Sequence, residues 1–235
     1  MIDLKRKSRE KPAGREKENV INSFGGADLK NPWEEISLTD YENHMSLDNV
    51  YQLQTMNKMM KEQLDEYTIK SAMILGVAGG NGLEHIDKDK FETVYGVDVN
   101  QKYLDECINR YPELSGVFKA ICADLLNDDL QLPHADLLIA NLLIEYIGYE
   151  CFRSIVNSVT PEYISCIIQI NTDNSFVSDS PYLQAFDRLQ EVHHQIDEKA
   201  LKNAMNEIGY IKKIIDEREL PNGKKLLRID FIQNS

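Results

Sequence analysis

The first regular pattern along the chain has a helical period. Apolar residues recur at Leu47, Val50, Leu53, Met56, Met60 and Leu64, spacings of three and four that line one helix face, and Thr39-Asp-Tyr-Glu42 just upstream has the form of a capping box. An amphipathic helical leader is expected over residues 31–70. Its Met-rich stretch, Met45, Met56, Met59 and Met60, suits core filling or an adaptable lid. Beyond Ser71 the pattern changes to short apolar runs at 72–77, 93–97, 117–122, 135–140 and 163–170, which read as strands buried on both faces. Helix candidates begin between them near Asn81, Gln101 and Gly148. Strand and helix in alternation imply right-handed crossovers and an α/β, doubly wound, mostly parallel sheet. After a helix from Asp197 to about Glu207, segments 210–220 and 225–232 flank Pro221-Asn-Gly-Lys224. This is a C-terminal antiparallel hairpin, so one late strand opposes the rest. Residues 71–235 form the main domain.

Charge adds a boundary that periodicity does not show. The 235 residues carry 26 basic and 39 acidic side chains, a net charge of −13, yet the first twenty hold seven basic and four acidic groups. Few large apolar groups and the breakers Pro12, Gly14, Gly25 and Gly26 make residues 1–30 a flexible basic tail. The acidic body repels phosphate backbones, so no DNA partner is expected. No apolar run approaches the roughly 18 residues of a membrane span, and the first twenty residues lack the apolar core of a secretory leader; no membrane partner and a cytoplasmic protein are expected. Cys107, Cys122, Cys151 and Cys166 are widely spaced and read as reduced thiols. The five histidines lack metal-ligand spacing, and no metal is expected.

The densest chemical signal is Met73-Ile-Leu-Gly-Val-Ala-Gly-Gly-Asn-Gly-Leu-Glu84, a buried strand running into a glycine-rich turn. Gly79, Gly80 and Gly82 permit positive φ and close backbone approach, and a helix start beyond them would offer free N–H groups to a nucleotide-like ligand. Asp98 follows the second strand, where a carboxylate accepts the hydroxyl protons of a ribose. A dinucleotide fingerprint read from Gly80 has His85 at its third glycine, so a nicotinamide cofactor stays open beside other nucleotide-like ligands.

Taken together these motifs resemble the class I S-adenosylmethionine-dependent methyltransferases. Gly76-Val-Ala-Gly-Gly-Asn-Gly82 stands in the place of D-x-G-x-G-x-G, with Gly76 at the acid and Ala78 at the first glycine. Val94-Tyr-Gly-Val-Asp98 resembles the ribose-binding second strand, Ala123-Asp124-Leu125 the turn that meets adenine, and Asp136-Leu-Leu-Ile-Ala-Asn141 the fourth strand, whose end faces the methionine part. The resemblance covers about residues 71–232. It implies S-adenosyl-L-methionine as cofactor, held by Gly79, Gly80, Gly82, Asp98, Val99, Asp124, Leu125 and Asn141.

Displacement at a sulfonium releases a neutral thioether, so the protein mainly aligns and desolvates the acceptor. A base is required only where the acceptor must lose a proton. Glu145 and Tyr146, after the fourth strand, and His194 of the His193-His194 pair are the candidate catalytic residues; an extended His pair sends only one ring inward. Tyr41 and His44 are candidate lid groups. Asn141-Leu-Leu-Ile lacks the prolines of the (N/D)PP(Y/F) motif, which argues against methylation of adenine or glutamine nitrogen. A small-molecule methyl acceptor is expected beneath the leader and residues 173–188. The alternatives are a protein or RNA methyltransferase, a cofactor-binding protein without transferase activity, and an NAD(P)-dependent oxidoreductase.

Overall fold

The aliphatic runs become a seven-stranded sheet in a computed structural model, which describes residues 30–171 and 176–234. The strands are β1 (Ser71–Leu75), β2 (Thr93–Asp98), β3 (Phe118–Cys122), β4 (Leu137–Asn141), β5 (Tyr163–Ile170), β6 (Tyr210–Glu219) and β7 (Lys225–Gln233), in the spatial order β3-β2-β1-β4-β5-β7-β6. Strands β1 to β5 are parallel, and β7 lies antiparallel to both β5 and β6. The expected mostly parallel sheet with its closing hairpin is therefore present. Residues 1–29 of the expected basic tail lie outside the described residues, as do 172–175, which include the start of the 173–188 segment expected beneath the leader.

Both faces of the sheet are covered. On one, Met73, Leu75, Leu138 and Ala140 pack with α4 (Ile144–Val159) and α5 (Glu198–Glu207); on the other, Ala72, Ile74, Leu137 and Ile139 meet α2 (Gln52–Glu66) and α3 (Gln101–Arg110). Residues alternate faces along each strand, and both sets are apolar because both faces are buried. Among the described residues no helix is long and apolar enough to cross a membrane.

The leader departs from expectation in two ways. It is two helices, α1 (Leu38–Ser46) and α2, separated at Leu47–Tyr51, where Tyr51 adopts a left-handed φ of 52°. The cap is Ser37, whose side chain accepts from the Asp40 N–H at 3.0 Å; it opens the helix two residues before Thr39 and makes the Thr39 box interior. Helix α2 belongs to the core, since Met59 and Leu64 are fully buried and Met60 nearly so.

No α-helix follows the glycine turn, contrary to the expected start near Asn81; only a 3₁₀ turn, Leu83–His85, precedes β2. Three glycines within four residues and the polar Asp87-Lys-Asp-Lys90 leave too few apolar positions for an amphipathic stripe. The face such a helix would cover is taken by α2, which reaches the turn through Asn57, bonded to Asn81, Glu84 and His85.

Candidate active site

The parallel register aligns the carboxyl ends of the central strands. Leu75 pairs with Val97 on one side and Ala140 on the other, so Asp98 and Asn141 flank Gly76, the first residue past β1. Strand order reverses at β1, and ligands of open α/β sheets bind at that edge.

Backbone at this edge is left-handed at Gly76 (φ 65°) and Ala78 (φ 48°). The turn directs the Ala78 N–H onto Asp98 Oδ2 at 2.9 Å, while the Asn100 N–H meets Oδ1 at 2.9 Å. Asp98 is only 8% exposed. Burial pushes its pKa up, against the pull of the backbone donors. Each carboxylate oxygen keeps a second lone pair for an incoming hydroxyl.

A cavity of about 760 Å³, including its mouth, opens here. Gly76, Ala78, Asp98, Val99, Asp124, Leu125 and Asn141 line it from the sheet side; Trp33, Tyr41 and Tyr146 close it from above. Gly79, Gly80 and Gly82, expected on this wall, point elsewhere. A Cβ on Gly79 would fall 2.5 Å from Glu42 Oε1, on Gly80 2.8 Å from Leu83 Cδ1, and on Gly82 2.6 Å from Met60 Cγ. These glycines let the leader, α3 and the turn pack closely, and the close backbone approach to the cavity is made by Gly76 and Ala78.

The leader is fastened over this edge. Asn100 Nδ2 donates to the Trp33 carbonyl at 3.1 Å, Tyr103 OH donates to the Ile36 carbonyl at 2.9 Å, and Arg110 pairs with both oxygens of Glu42. Trp33 meets Tyr146 edge to face, ring centroids 4.8 Å apart. Its Nε1–H is buried without a partner.

A second chamber adjoins the first and shares Trp33, Tyr41, Leu142 and Tyr146 with it. Glu145 is on its wall, 6% exposed. Oε1 accepts from the Gln169 N–H at 2.9 Å; Oε2 is buried and has no partner. Burial pushes the Glu145 pKa up to about 7. Tyr41 and Tyr146 are pushed up as well, first by burial and then by nearby carboxylates, so both stay phenols at neutral pH and neither is a resting base. His44, bonded through Nδ1 to Ser180 Oγ at 2.8 Å, is lowered to about 4 by burial and by Lys224.

Of the histidine pair, His193 rather than His194 reaches the chamber. His193 stacks on Phe176 with centroids 3.9 Å apart, whereas the His194 ring is exposed beside Gly148 and its backbone N–H donates to the Glu145 carbonyl at 2.6 Å. Gly148 (φ 72°, ψ 171°) breaks α4, so Glu145 sits on a separate first turn aimed at β5. Among the described residues no cluster of His, Cys, Asp or Glu could hold a metal ion.

No protein-family model matches the sequence, and no curated protein matches it. Solved structures do. The N-methyltransferase NodS from Bradyrhizobium japonicum, in complex with S-adenosylhomocysteine, superposes with a TM-score of 0.60 at 11% identity, over 84% of this chain and 98% of that one. Magnesium protoporphyrin IX methyltransferase from Synechocystis, with bound S-adenosylhomocysteine, gives 0.59 at 10% over 83% and 94%. The cyclase SpnF gives 0.58 at 10% over 77% and 81%, so the shared architecture spans more than one reaction type. Strand order, hairpin and superpositions agree: this chain has the class I S-adenosylmethionine-dependent methyltransferase fold.

Proposed function

We propose that the protein binds S-adenosyl-L-methionine in the larger cavity and transfers its methyl group to a small-molecule acceptor in the adjoining chamber. One observation carries the cofactor reading: among the described residues the cavity wall presents two carboxylates, Asp98 and Asp124, and no lysine or arginine. A sulfonium-bearing nucleoside is cationic and suits such a wall, whereas a dinucleotide brings a pyrophosphate that needs N–H donors or cations. The glycine turn leads into no α-helix whose N-terminus could supply them.

The residues present fit the group. Asp98 has free lone pairs for the ribose diol, Asp124 and Leu125 lie where the base would rest, and Asn141 lies at the end of β4 beside Gly76. When bound, the cofactor supplies an activated methyl on sulfur. The chain's own part is to align the acceptor, exclude water and take up a proton where the acceptor carries one. Trp33, Tyr41 and Tyr146 form the roof between the two spaces, and among the described residues Glu145 is the one acidic side chain in the acceptor chamber. With Gly76 at the acid position, the methionine amino group has no carboxylate of the first motif to meet.

Isothermal titration tests the reading. S-adenosylmethionine and S-adenosylhomocysteine should bind with measurable heat and NAD should not. Binding of NAD alone would establish an oxidoreductase-type site. Cofactor binding with no turnover across amine, hydroxyl and thiol acceptors would establish a binding protein.

A further inference from the structure

From the second chamber we infer that the acceptor is a small aliphatic amine, held as its ammonium ion against Glu145 Oε2 and surrounded by aromatic rings. This deepens the reading above and rests on it for the identity of the methyl donor. Three observations converge. Oε2 is a buried acceptor with no partner, beside a space enclosed by Trp33, Tyr41, Tyr146, Phe176 and Phe186. An orphaned carboxylate oxygen is costly unless something donates to it, and an ammonium N–H does so with charge assistance.

Among the wall's other polar groups the side-chain amides and His44 are already engaged, while the Trp33 Nε1–H remains a free donor. Gln52 donates to Gln169 Oε1, Gln169 Nε2 donates to Asn171 Oδ1 at 2.6 Å and to the Phe176 carbonyl at 2.8 Å, and His44 is bonded to Ser180. They give the chamber its shape and leave Glu145 to meet the ligand.

The rings favour a cation, whose charge is attracted to π faces once water is excluded. Among the described residues no lysine or arginine lines the chamber. The cation acting on its histidines, Lys224, is itself engaged, donating Nζ to the Phe176 carbonyl at 3.0 Å. Among the described residues a carboxylate acceptor would meet Glu145 and no cation on this wall, which disfavours it.

The chemistry balances. One N–H proton passes to Glu145 Oε2, which frees the nitrogen lone pair. That pair forms the new N–C bond as the C–S bond breaks with its electrons left on sulfur. The sulfonium charge is thereby neutralised, the methylated nitrogen carries a positive charge, and Glu145 releases its proton to solvent when product leaves.

The test uses the full chain and probes of known charge: dimethylamine, ethanolamine and choline, against 3,3-dimethylbutan-1-ol, the uncharged carbon isostere of choline, and acetate. Each is titrated with and without saturating S-adenosylhomocysteine. Wild-type protein should bind at least one amine tenfold more tightly than the isostere and should not bind acetate. Glu145→Gln should weaken the amine tenfold or more, leaving the isostere and S-adenosylhomocysteine unchanged, and Phe176→Leu should weaken choline three- to tenfold. Equal binding of choline and its isostere, binding of acetate, no binding of any amine, or full amine affinity in Glu145→Gln would each overturn the inference. Loss of S-adenosylhomocysteine binding by wild type would instead count against the cofactor assignment, because the amine titrations without it stand alone.

Discussion

Gln63 and Asn141 exchange both amide hydrogen bonds, Gln63 Nε2 to Asn141 Oδ1 at 2.9 Å and Asn141 Nδ2 to Gln63 Oε1 at 2.8 Å. The pair joins α2 to the cavity end of β4. Gln63 also donates to Ser165 Oγ, which bonds Asp230; Asp230 in turn receives Tyr67 OH and the guanidinium of Arg228. A buried polar chain therefore runs from the cofactor wall across β5 to β7. Gln63→Leu would strand the Asn141 amide, and each buried group left unpaired costs about 1–3 kcal/mol. Chemical denaturation should show a loss of about 2–4 kcal/mol, with S-adenosylhomocysteine binding about tenfold weaker as Asn141 reorients.

Asp98 holds two backbone N–H groups and, in the proposed reading, the ligand as well. Asp98→Ala should weaken S-adenosylhomocysteine about ten- to a hundredfold, the size of a charge-assisted bond to hydroxyls. It should also cost roughly 1–3 kcal/mol of stability, because the Ala78 and Asn100 N–H groups lose their acceptor. Asp98→Asn keeps one acceptor oxygen and should fall between. Titration calorimetry paired with thermal unfolding separates the two effects.

Glu145 should leave a signature in the pH dependence of stability. Its pKa rises from an ordinary 4.5 to about 7 on folding, so the folded state holds the proton more tightly. The stability it contributes is full below about pH 4.5 and is lost as pH climbs to about 7. The difference is roughly 3 kcal/mol by linkage. His44, lowered to about 4, acts in the opposite sense, losing stability as pH falls from 6.5 toward 4. His193, also lowered, and Lys224, Tyr41, Tyr146, Tyr149 and Cys166 lie in the same surroundings. Comparison of wild type with Glu145→Gln cancels those shared contributions. The variant should gain on wild type steadily between pH 5 and 7 in denaturant titrations, and a constant difference would exclude the shift.

Two of the left-handed residues beside the cavity, Gly76 and Ala78, should respond in opposite directions. Gly76→Ala places a Cβ at φ 65° and 3.1 Å from Leu143, and should destabilise by about 1–2 kcal/mol. Ala78 already bears that kind of strain at φ 48°, so Ala78→Gly should leave stability unchanged or raise it by up to about 1 kcal/mol. Thermal unfolding of the two variants checks both signs.

The central strands were legible because residues buried on both faces form unbroken apolar runs, and the hairpin because Asn222-Gly223 separates two β-prone segments, of which β6 alternates buried and exposed positions. Asp98, Asp124 and Asn141 were legible as polar residues at strand ends, and the register brings them round one cavity. The glycine turn misled, since its spacing resembles a phosphate-binding loop while the space around each Cα is filled by the leader and α3, which no local pattern reveals. The choice between His193 and His194 depended on Phe176, distant in sequence. The raised pKa of Glu145 depends on burial beneath residues distant in sequence, which outweighs the opposing pull of the Gln169 N–H. Ser37 displaced Thr39 as cap because two possible boxes overlap and tertiary contacts at Ile36 select the earlier one.

Trp33, Tyr41, Leu142 and Tyr146 are walls of both chambers. Whichever ligand arrives first fixes these side chains for the other, and the rotational freedom given up is lost only once. In the proposed reading donor and acceptor would thereby be thermodynamically linked, each raising the affinity of its companion by the same factor.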